Sequence, residues 1–261
     1  MPDIRVDGCR LHYDIDGPTD APALMLLHSL GTTTELWSGQ LDIFCGSFRV
    51  VRCDLRGHGR SDAPPGPYAL ARLGHDVLAV LDAIPLARAH ICGVSLGGLL
   101  AMWLALHAPH RVDRIVPANT AARLGTHDLW SERIRLATAS GLHAVADTVI
   151  KRWFTASFRQ DYPATVNRFR EMFVTCSLDG YAGACAALRD ADLLDDIHRI
   201  EAPTLVVTGR HDAATPPAVG QLIAERVPGA RRLELDAAHL CNVEQAAAFT
   251  SGVHDFLSTS R

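Results

Sequence analysis

Three residues of this chain are of the types that cooperate in nucleophilic attack: Ser95 in Gly93-Val94-Ser95-Leu96-Gly97, Asp212 in Gly209-Arg210-His211-Asp212, and His239 in Asp236-Ala237-Ala238-His239-Leu240. A serine hydroxyl is a weak nucleophile until a base takes its proton and a third group orients that base. The serine stands in a Gly-x-Ser-x-Gly pattern, which at a strand-to-helix turn forms a nucleophile elbow. Strand and helix approach so closely there that a side chain at Gly93 or Gly97 would collide with the packing. The first turn of the following helix leaves N–H groups unpaired beside the serine, which suits a developing negative charge.

Local sequence supplies the elements this motif needs. Ala89-His90-Ile91-Cys92 is a short, mostly apolar run of the kind a buried strand requires. Leu99 to Leu106 is helix-forming and apolar on nearly every side, and His107-Ala108-Pro109 stops it. Upstream, Arg10 to Asp16 alternates polar and apolar residues before Gly17-Pro18, which predicts an early antiparallel strand ending in a turn. Ala23 to Leu27 and Phe48 to Arg52 read as buried strands, Leu73 to Leu81 carries helical spacing, and Val112 to Val116 reads as a further strand. Alternating strands and helices imply a mostly parallel sheet with helices on both faces. From residue 121 to 196 no buried-strand run occurs and the pattern is helical. The strand rhythm resumes at Thr204 to Thr208 and Arg231 to Leu235, and a helix from Val243 to Leu257 closes the chain. The expected organisation is an α/β core of residues 1–120 and 197–261, interrupted by a helical cap of residues 121–196.

In open parallel sheets, sites form beyond the carboxyl ends of the strands. Asp212 follows the Thr204–Thr208 strand. His239 follows the last strand, from where it can reach back over the sheet edge. Each also has a plainer reading, Asp212 as a turn residue or helix cap ahead of Pro216-Pro217 and His239 as a surface histidine. His211 is the rival base, but it neighbours the acid in sequence and would point away from it. His12, His75, His107, His110, His143, His198 and His254 read as exposed positions. An oxyanion hole needs two N–H donors. Leu96 N–H is one, directly after the serine; Leu30 N–H is the other, in the small-residue turn His28-Ser29-Leu30-Gly31-Thr32 after the Leu24–Leu27 strand. Asp54 to Ser61 is a glycine-rich turn after a strand. No Walker lysine follows it, so it reads as a structural corner beside the site rather than a phosphate cradle. A histidine base must start neutral, so activity is expected to fall at acid pH.

With 261 residues, 48% hydrophobic and 21% charged, the chain is of ordinary globular composition and suits one large domain or a core with an insertion. A net charge of -4 and the absence of any basic run argue against nucleic acid as a partner. No apolar run reaches the roughly 20 residues of a membrane span, and the opening Pro2-Asp3-Ile4-Arg5-Val6 does not read as a secretory leader. The seven cysteines are scattered, odd in number and without a Cys-x-x-Cys pair. A disulfide framework or zinc site is not expected, and a reducing cytoplasm is the natural compartment.

Taken together, His28-Ser29-Leu30-Gly31, Asp54-Leu55-Arg56-Gly57-His58-Gly59, the elbow, Asp212 and His239 resemble the landmarks of the α/β-hydrolase fold family over the whole length of the chain. Members order their triad as serine, acid, histidine. More narrowly the chain is similar to the 3-oxoadipate enol-lactonases. That likeness rests on His28 to Thr32, Gly66-Pro67-Tyr68, Gly93 to Leu99, Asn119-Thr120-Ala121-Ala122, Arg152-Trp153-Phe154-Thr155, Gly180-Tyr181-Ala182 and Arg189-Asp190-Ala191-Asp192. Such folds sometimes place the acid near Asn119, which cannot carry the charge here. The resemblance implies hydrolysis of a small lactone bearing a free carboxylate, without cofactor or metal. A carboxylate entering a dry pocket needs a cationic or hydrogen-bonding partner. Arg133 is the expected clamp, with the indole donors of Trp130 and Trp153 beside it and Trp153 as a pocket wall. A generic carboxylesterase, a cofactor-free perhydrolase and a ligand-binding module on the same fold remain alternatives. Haloalkane dehalogenases and epoxide hydrolases would want an aspartate at position 95.

Overall fold

A computed structural model of the chain describes residues 2–84 and 86–259. Its eight strands are β1 (Asp3–Val6), β2 (Cys9–Asp16), β3 (Ala23–Leu27), β4 (Arg49–Cys53), β5 (Ala89–Val94), β6 (Val112–Ala118), β7 (Leu205–Gly209) and β8 (Arg231–Leu235). They form one sheet in the order β1-β2-β4-β3-β5-β6-β7-β8. The first two strands are antiparallel to their neighbours, and every pairing from β4 through β8 is parallel. Every residue of β3, β5 and β7 is buried. A strand with no exposed alternate positions must be covered on both faces, as the apolar runs require.

The helices are α1 (Leu41–Phe44), α2 (Leu70–Ala83), α3 (Leu96–His107), α4 (His127–Trp153), α5 (Ala156–Asp161), α6 (Pro163–Val174), α7 (Leu178–Asp190), α8 (Pro217–Arg226), α9 (Cys241–Glu244) and α10 (Ala246–Ser258). Helix α3 packs on β3, β5, β6 and α2; α1 pairs with α10, and α8 lies against β7 and β8. The low amphipathicity of α3 follows from this placement, because a helix buried between sheet and helix has no wet face. Four helices, α4 to α7, separate β6 from β7, and among the described residues no strand falls between them.

Three local features differ from the expectation. Strand β1 escapes the period-2 reading because it is a short, half-exposed edge. Its signal is Asp7-Gly8, the two-residue turn that joins it to β2, with φ of 47° and 79°. Asp-Gly favours such hairpins because both turn residues must take positive φ. The closing helix is two pieces, α9 and α10, broken at Gln245. His12 is buried rather than exposed, its ring held between Asp3 at 2.8 Å and Asp14 at 3.2 Å. Within α4, Gly141 takes φ 74° and ψ 168° and divides the helix into two legs. Nothing crowds a Cβ there, so it is the backbone conformation alone that calls for glycine.

Candidate active site

Ser95 occupies the turn between β5 and α3 at φ 58° and ψ −113°. A serine gains nothing locally from that conformation, and strain of this kind is held only where the surroundings over-determine it. The surroundings do so here. Ser95 N–H donates to the Ala118 carbonyl at 2.9 Å, and the Ser95 carbonyl accepts from Thr120 Oγ1 at 2.8 Å. A Cβ on Gly93 would lie 2.2 Å from the Gly97 carbonyl, and one on Gly97 would lie 2.1 Å from the Leu27 carbonyl oxygen. The glycines are therefore required by close approach, as the motif predicts.

Asp212 sits just past the end of β7 and His239 past the end of β8. His239 Nδ1 donates to Asp212 Oδ2 at 2.8 Å, and both side chains are almost fully buried. Asp212 is saturated with donors. Its Oδ1 accepts from the N–H groups of Ala214 and Thr215 at 2.8 and 2.9 Å; its Oδ2 accepts also from Thr215 Oγ1 at 2.5 Å and Asn119 Nδ2 at 2.8 Å. Burial by itself raises this carboxyl. The His239 charge, together with hydrogen bonds from His239, Thr215 and Asn119, outweighs burial and holds it below its ordinary 3.8. Asn119 is thus not a substitute acid but a donor to the acid, placed by a positive φ of 43° at the end of β6. His211 faces outward, bonded to Asp236 at 2.8 Å.

Three further residues serve the site without being evident from the sequence: Thr215, Asn119 as a donor, and Glu244. Glu244 accepts from Ala238 N–H at 3.0 Å and from Thr155 N–H at 3.3 Å, with Thr155 Oγ1 also on its carboxylate. The His239 and Leu240 N–H groups reach the carbonyls of Arg152 and Trp153 at 3.4 and 3.0 Å. The loop that carries His239 is therefore tied to the end of α4. The signal in the sequence is Asp212 itself, since an aspartate in a turn commonly accepts from the N–H groups two and three residues on, here Ala214 and Thr215.

The loop of residues 28–32 is held just as firmly. Ser29 carbonyl accepts from Thr32 N–H and Thr32 Oγ1, and His28 Nε2 accepts from Leu55 N–H at 2.9 Å. His58 Nε2 accepts from Gly31 N–H at 3.1 Å. Among the described residues no acceptor takes the Leu30 N–H, and Leu96 N–H begins α3 where no intrahelical carbonyl can reach it. The Asp54 carboxylate fills the glycine-rich turn, accepting from Arg60 N–H at 3.0 Å and Thr34 N–H at 2.8 Å. An acid in that position makes the turn a structural corner and repels a phosphate.

Both accepting histidines must be neutral. Burial, helped by the adjacent His28, pushes His58 down from 6.5 to about 3. The unfolded chain takes up that proton near 6.5 and the folded chain does not until about 3, so falling pH favours unfolding between those values. From pH 7 to pH 5 this amounts to about 2 kcal/mol from His58 alone. His58→Gln keeps an acceptor for Gly31 and removes the titration. Its melting temperature is expected to fall less between pH 7 and 5 than that of the parent chain; equal falls would show that His58 is not held neutral.

Ser95, His239, Leu30, Ser29 and Thr215 line a cavity of about 130 Å³, and Trp130, Arg133, Arg152 and Trp153 close it from α4. That is well below the roughly 300 Å³ at which pockets for drug-sized ligands begin. Arg133 Nε donates to Tyr181 Oη at 2.6 Å, and its guanidinium lies 5.3 Å from the Trp130 ring centroid. Trp153 packs edge-on against Phe173 at 5.7 Å. The Trp130 indole corrects the expectation, because its N–H is bonded to the Leu124 carbonyl at 2.5 Å. With its one donor taken, that ring is a wall and a platform for Arg133, not a carboxylate donor.

A family profile described as α/β hydrolase fold matches residues 22–246. The chain is 40% identical to 3-oxoadipate enol-lactonase 2 of Acinetobacter baylyi, over 93% of this chain and 91% of that one. It is 31% identical to a putative carbamate hydrolase, RutD, of Variovorax paradoxus, over 95% of this chain and 96% of that one. Among solved structures, the enol-lactonase from Burkholderia xenovorans LB400 superposes with a TM-score of 0.97 at 43% identity, covering 99% of this chain and all of that one.

Proposed function

The chain belongs to the α/β-hydrolase family and is a hydrolase of lactones and carboxylic esters, and from that premise we propose that its substrate is the enol-lactone of 3-oxoadipate, opened to 3-oxoadipate in the β-ketoadipate route of aromatic degradation. The observation that carries this reading is the small cavity in which Ser95 and His239 face a guanidinium, Arg133. A generic esterase needs the first two and has no use for the third. The higher identity to the enol-lactonase than to the carbamate hydrolase supports the same choice. In this reading residues 121–196 form a cap over a core of residues 1–120 and 197–261. The seven cysteines are unpaired, which supports a place in a reducing cytoplasm.

The reaction proceeds in two stages. His239 Nε2 takes the Ser95 proton as Oγ attacks the lactone carbonyl, and the Leu30 and Leu96 N–H groups hold the oxyanion. Asp212 stabilises the imidazolium. The ring C–O bond breaks and leaves an enol oxygen, a better leaving group than an ordinary alkoxide, which takes the proton back. The enol stays tethered to the acyl-enzyme and could re-close; ketonisation removes that nucleophile and drives the step forward. Water, deprotonated by His239, then releases the second carboxylate.

Arg133 holds the free carboxylate of the substrate. Arg133→Ala is expected to raise KM roughly tenfold or more, the worth of a hydrogen bond to a charged group, with a smaller change in kcat. An unchanged KM would remove Arg133 from this role. The reading as a whole is tested by following the ultraviolet absorbance of the enol-lactone, with p-nitrophenyl acetate as a control ester. Fast lactone loss beside weak ester hydrolysis is the expected result. Ester hydrolysis without lactone loss would keep the hydrolase and discard the substrate.

A further inference from the structure

The lining of the cavity holds a second guanidinium. Arg152 stands in it with Arg133, and among the described residues no aspartate or glutamate lines the same space. Arg133 is oriented but not neutralised. Its Nε is bonded to the Tyr181 phenol, and burial keeps that phenol protonated. Arg152 is half-buried, and among the described residues no carboxylate or carbonyl accepts from its guanidinium. Most arginines elsewhere are paired, Arg56 with Asp76, Arg111 with Asp82 and Arg135 with Glu132 among them.

Both arginines also line a groove of about 310 Å³ between the two legs of α4, together with Leu136, Val145 and Val149. They therefore stand at the seam between the groove and the cavity. Glu132 is the one acid lining that groove among the described residues, and it is held by Arg135 through hydrogen bonds of 2.6 and 2.7 Å. No hydrogen bond or ion pair joins it to Arg152. The backbone of Arg152 is fixed by the same contact that places the base, its carbonyl accepting from His239 N–H at 3.4 Å.

Two uncompensated cations in a partly dry space are unfavourable until an anion arrives, and a carboxylate takes a guanidinium in two parallel hydrogen bonds. We infer that Arg152 is a second anion-binding residue of this site, making it selective for small lactones and esters that carry a free carboxylate and retentive of the dicarboxylates they release. The inference rests on the proposed hydrolytic site. The reaction releases one further carboxylate from a substrate that already has one, so the product carries two charges for two arginines.

The test uses a near-isosteric pair, mono-4-nitrophenyl glutarate and its neutral amide analogue 4-nitrophenyl 4-carbamoylbutanoate, and adipate as a non-reacting dicarboxylate. The parent chain is expected to favour the anionic ester in kcat/KM, less so as salt is raised. Arg152→Met is expected to lower the anionic-to-neutral ratio roughly tenfold or more, with part of it restored in Arg152→Lys. Adipate is expected to raise the melting temperature of the parent and not of Arg152→Met. A ratio and an adipate shift that are both unchanged in a folded Arg152→Met overturn the inference, as does a parent chain that adipate does not stabilise. Fast enol-lactone turnover with an Arg152-independent ratio would sink this inference alone. An Arg152-dependent ratio without enol-lactone turnover would uphold it and sink the pathway reading.

Discussion

Ser95→Ala is expected to lower kcat on every lactone and ester by roughly a million-fold, leaving only what the oxyanion donors and binding contribute over water. The variant should fold. Among the described residues Ser95 Oγ makes no hydrogen bond, and the turn is held through the Ser95 backbone, whose N–H donates to the Ala118 carbonyl and whose carbonyl accepts from Leu99 N–H and Thr120 Oγ1, all of which alanine keeps. A companion variant separates chemistry from strain. At φ 58° and ψ −113° any Cβ is strained, a cost of about 1–3 kcal/mol that Ser95→Gly relieves, less about 0.4–1 kcal/mol of added freedom in the unfolded chain. Ser95→Gly is therefore expected to be inactive and to melt above Ser95→Ala. Steady-state kinetics and thermal unfolding check the two halves. An alanine variant retaining a thousandth of the parent rate would show that Ser95 is not the nucleophile.

Asp212→Asn is expected to lower kcat by roughly ten-thousandfold, the size seen when a triad histidine is left in the wrong tautomer. The hydrogen-bond inventory forces that tautomer. Two N–H groups, of Ala214 and Thr215, point at Oδ1, so the new amide must place its oxygen there. Its NH2 then stands at Oδ2, facing donors from His239, Thr215 and Asn119. His239 can relieve its part only by moving its proton to Nε2, and a protonated Nε2 cannot accept the Ser95 proton. Stability falls too, by roughly 3 kcal/mol, because buried donors lose their anion. The sign with pH follows from the lowered carboxyl. The parent has this stabilisation in full above the unfolded value of 3.8 and loses it as pH falls through the lower folded value. The gap between parent and Asp212→Asn in melting temperature should therefore hold from neutral pH down to about 4 and close only below it. A gap that closes well above pH ~4 would remove the Asp212 carboxylate as its source.

The parts of this site legible in the chain are those set by neighbours in sequence. The elbow is one, since Gly93, Ser95 and Gly97 meet within five residues and the flanking strand and helix carry their own patterns. The bounds of β3 and β8 coincide with the apolar and alternating runs for the same reason. Asp212 and His239 are legible one step less directly, through the rule that sites gather beyond the carboxyl ends of parallel strands. That rule gives their loops, which together hold His211 with Asp212 and Asp236 with His239, and only the fold shows that the buried pair is Asp212 with His239 while His211 turns outward to Asp236.

What the chain does not show is which of two chemically equal side chains is engaged by a distant partner. His28 and His58 look like the other histidines until Leu55 and Gly31 are seen donating to them. Trp130 looks like an indole donor until the turn at Leu124 takes its N–H. Asn119 reads as a missing acid, and only the approach of the β6 and β7 ends makes it a donor to Asp212. Arg152 is unremarkable in a chain rich in paired arginines, and it stands out only once the fold places it in the lining of the cavity without a carboxylate. The strand-turn-helix that raises Ser95, and the order of the residues that serve it, can be read along the chain because backbone conformation and hydrophobic period are local properties. The tautomers, the donor count on Asp212 and the charge left unpaired in the cavity emerge only on folding, because hydrogen bonds and ion pairs are settled by which atoms meet across the fold.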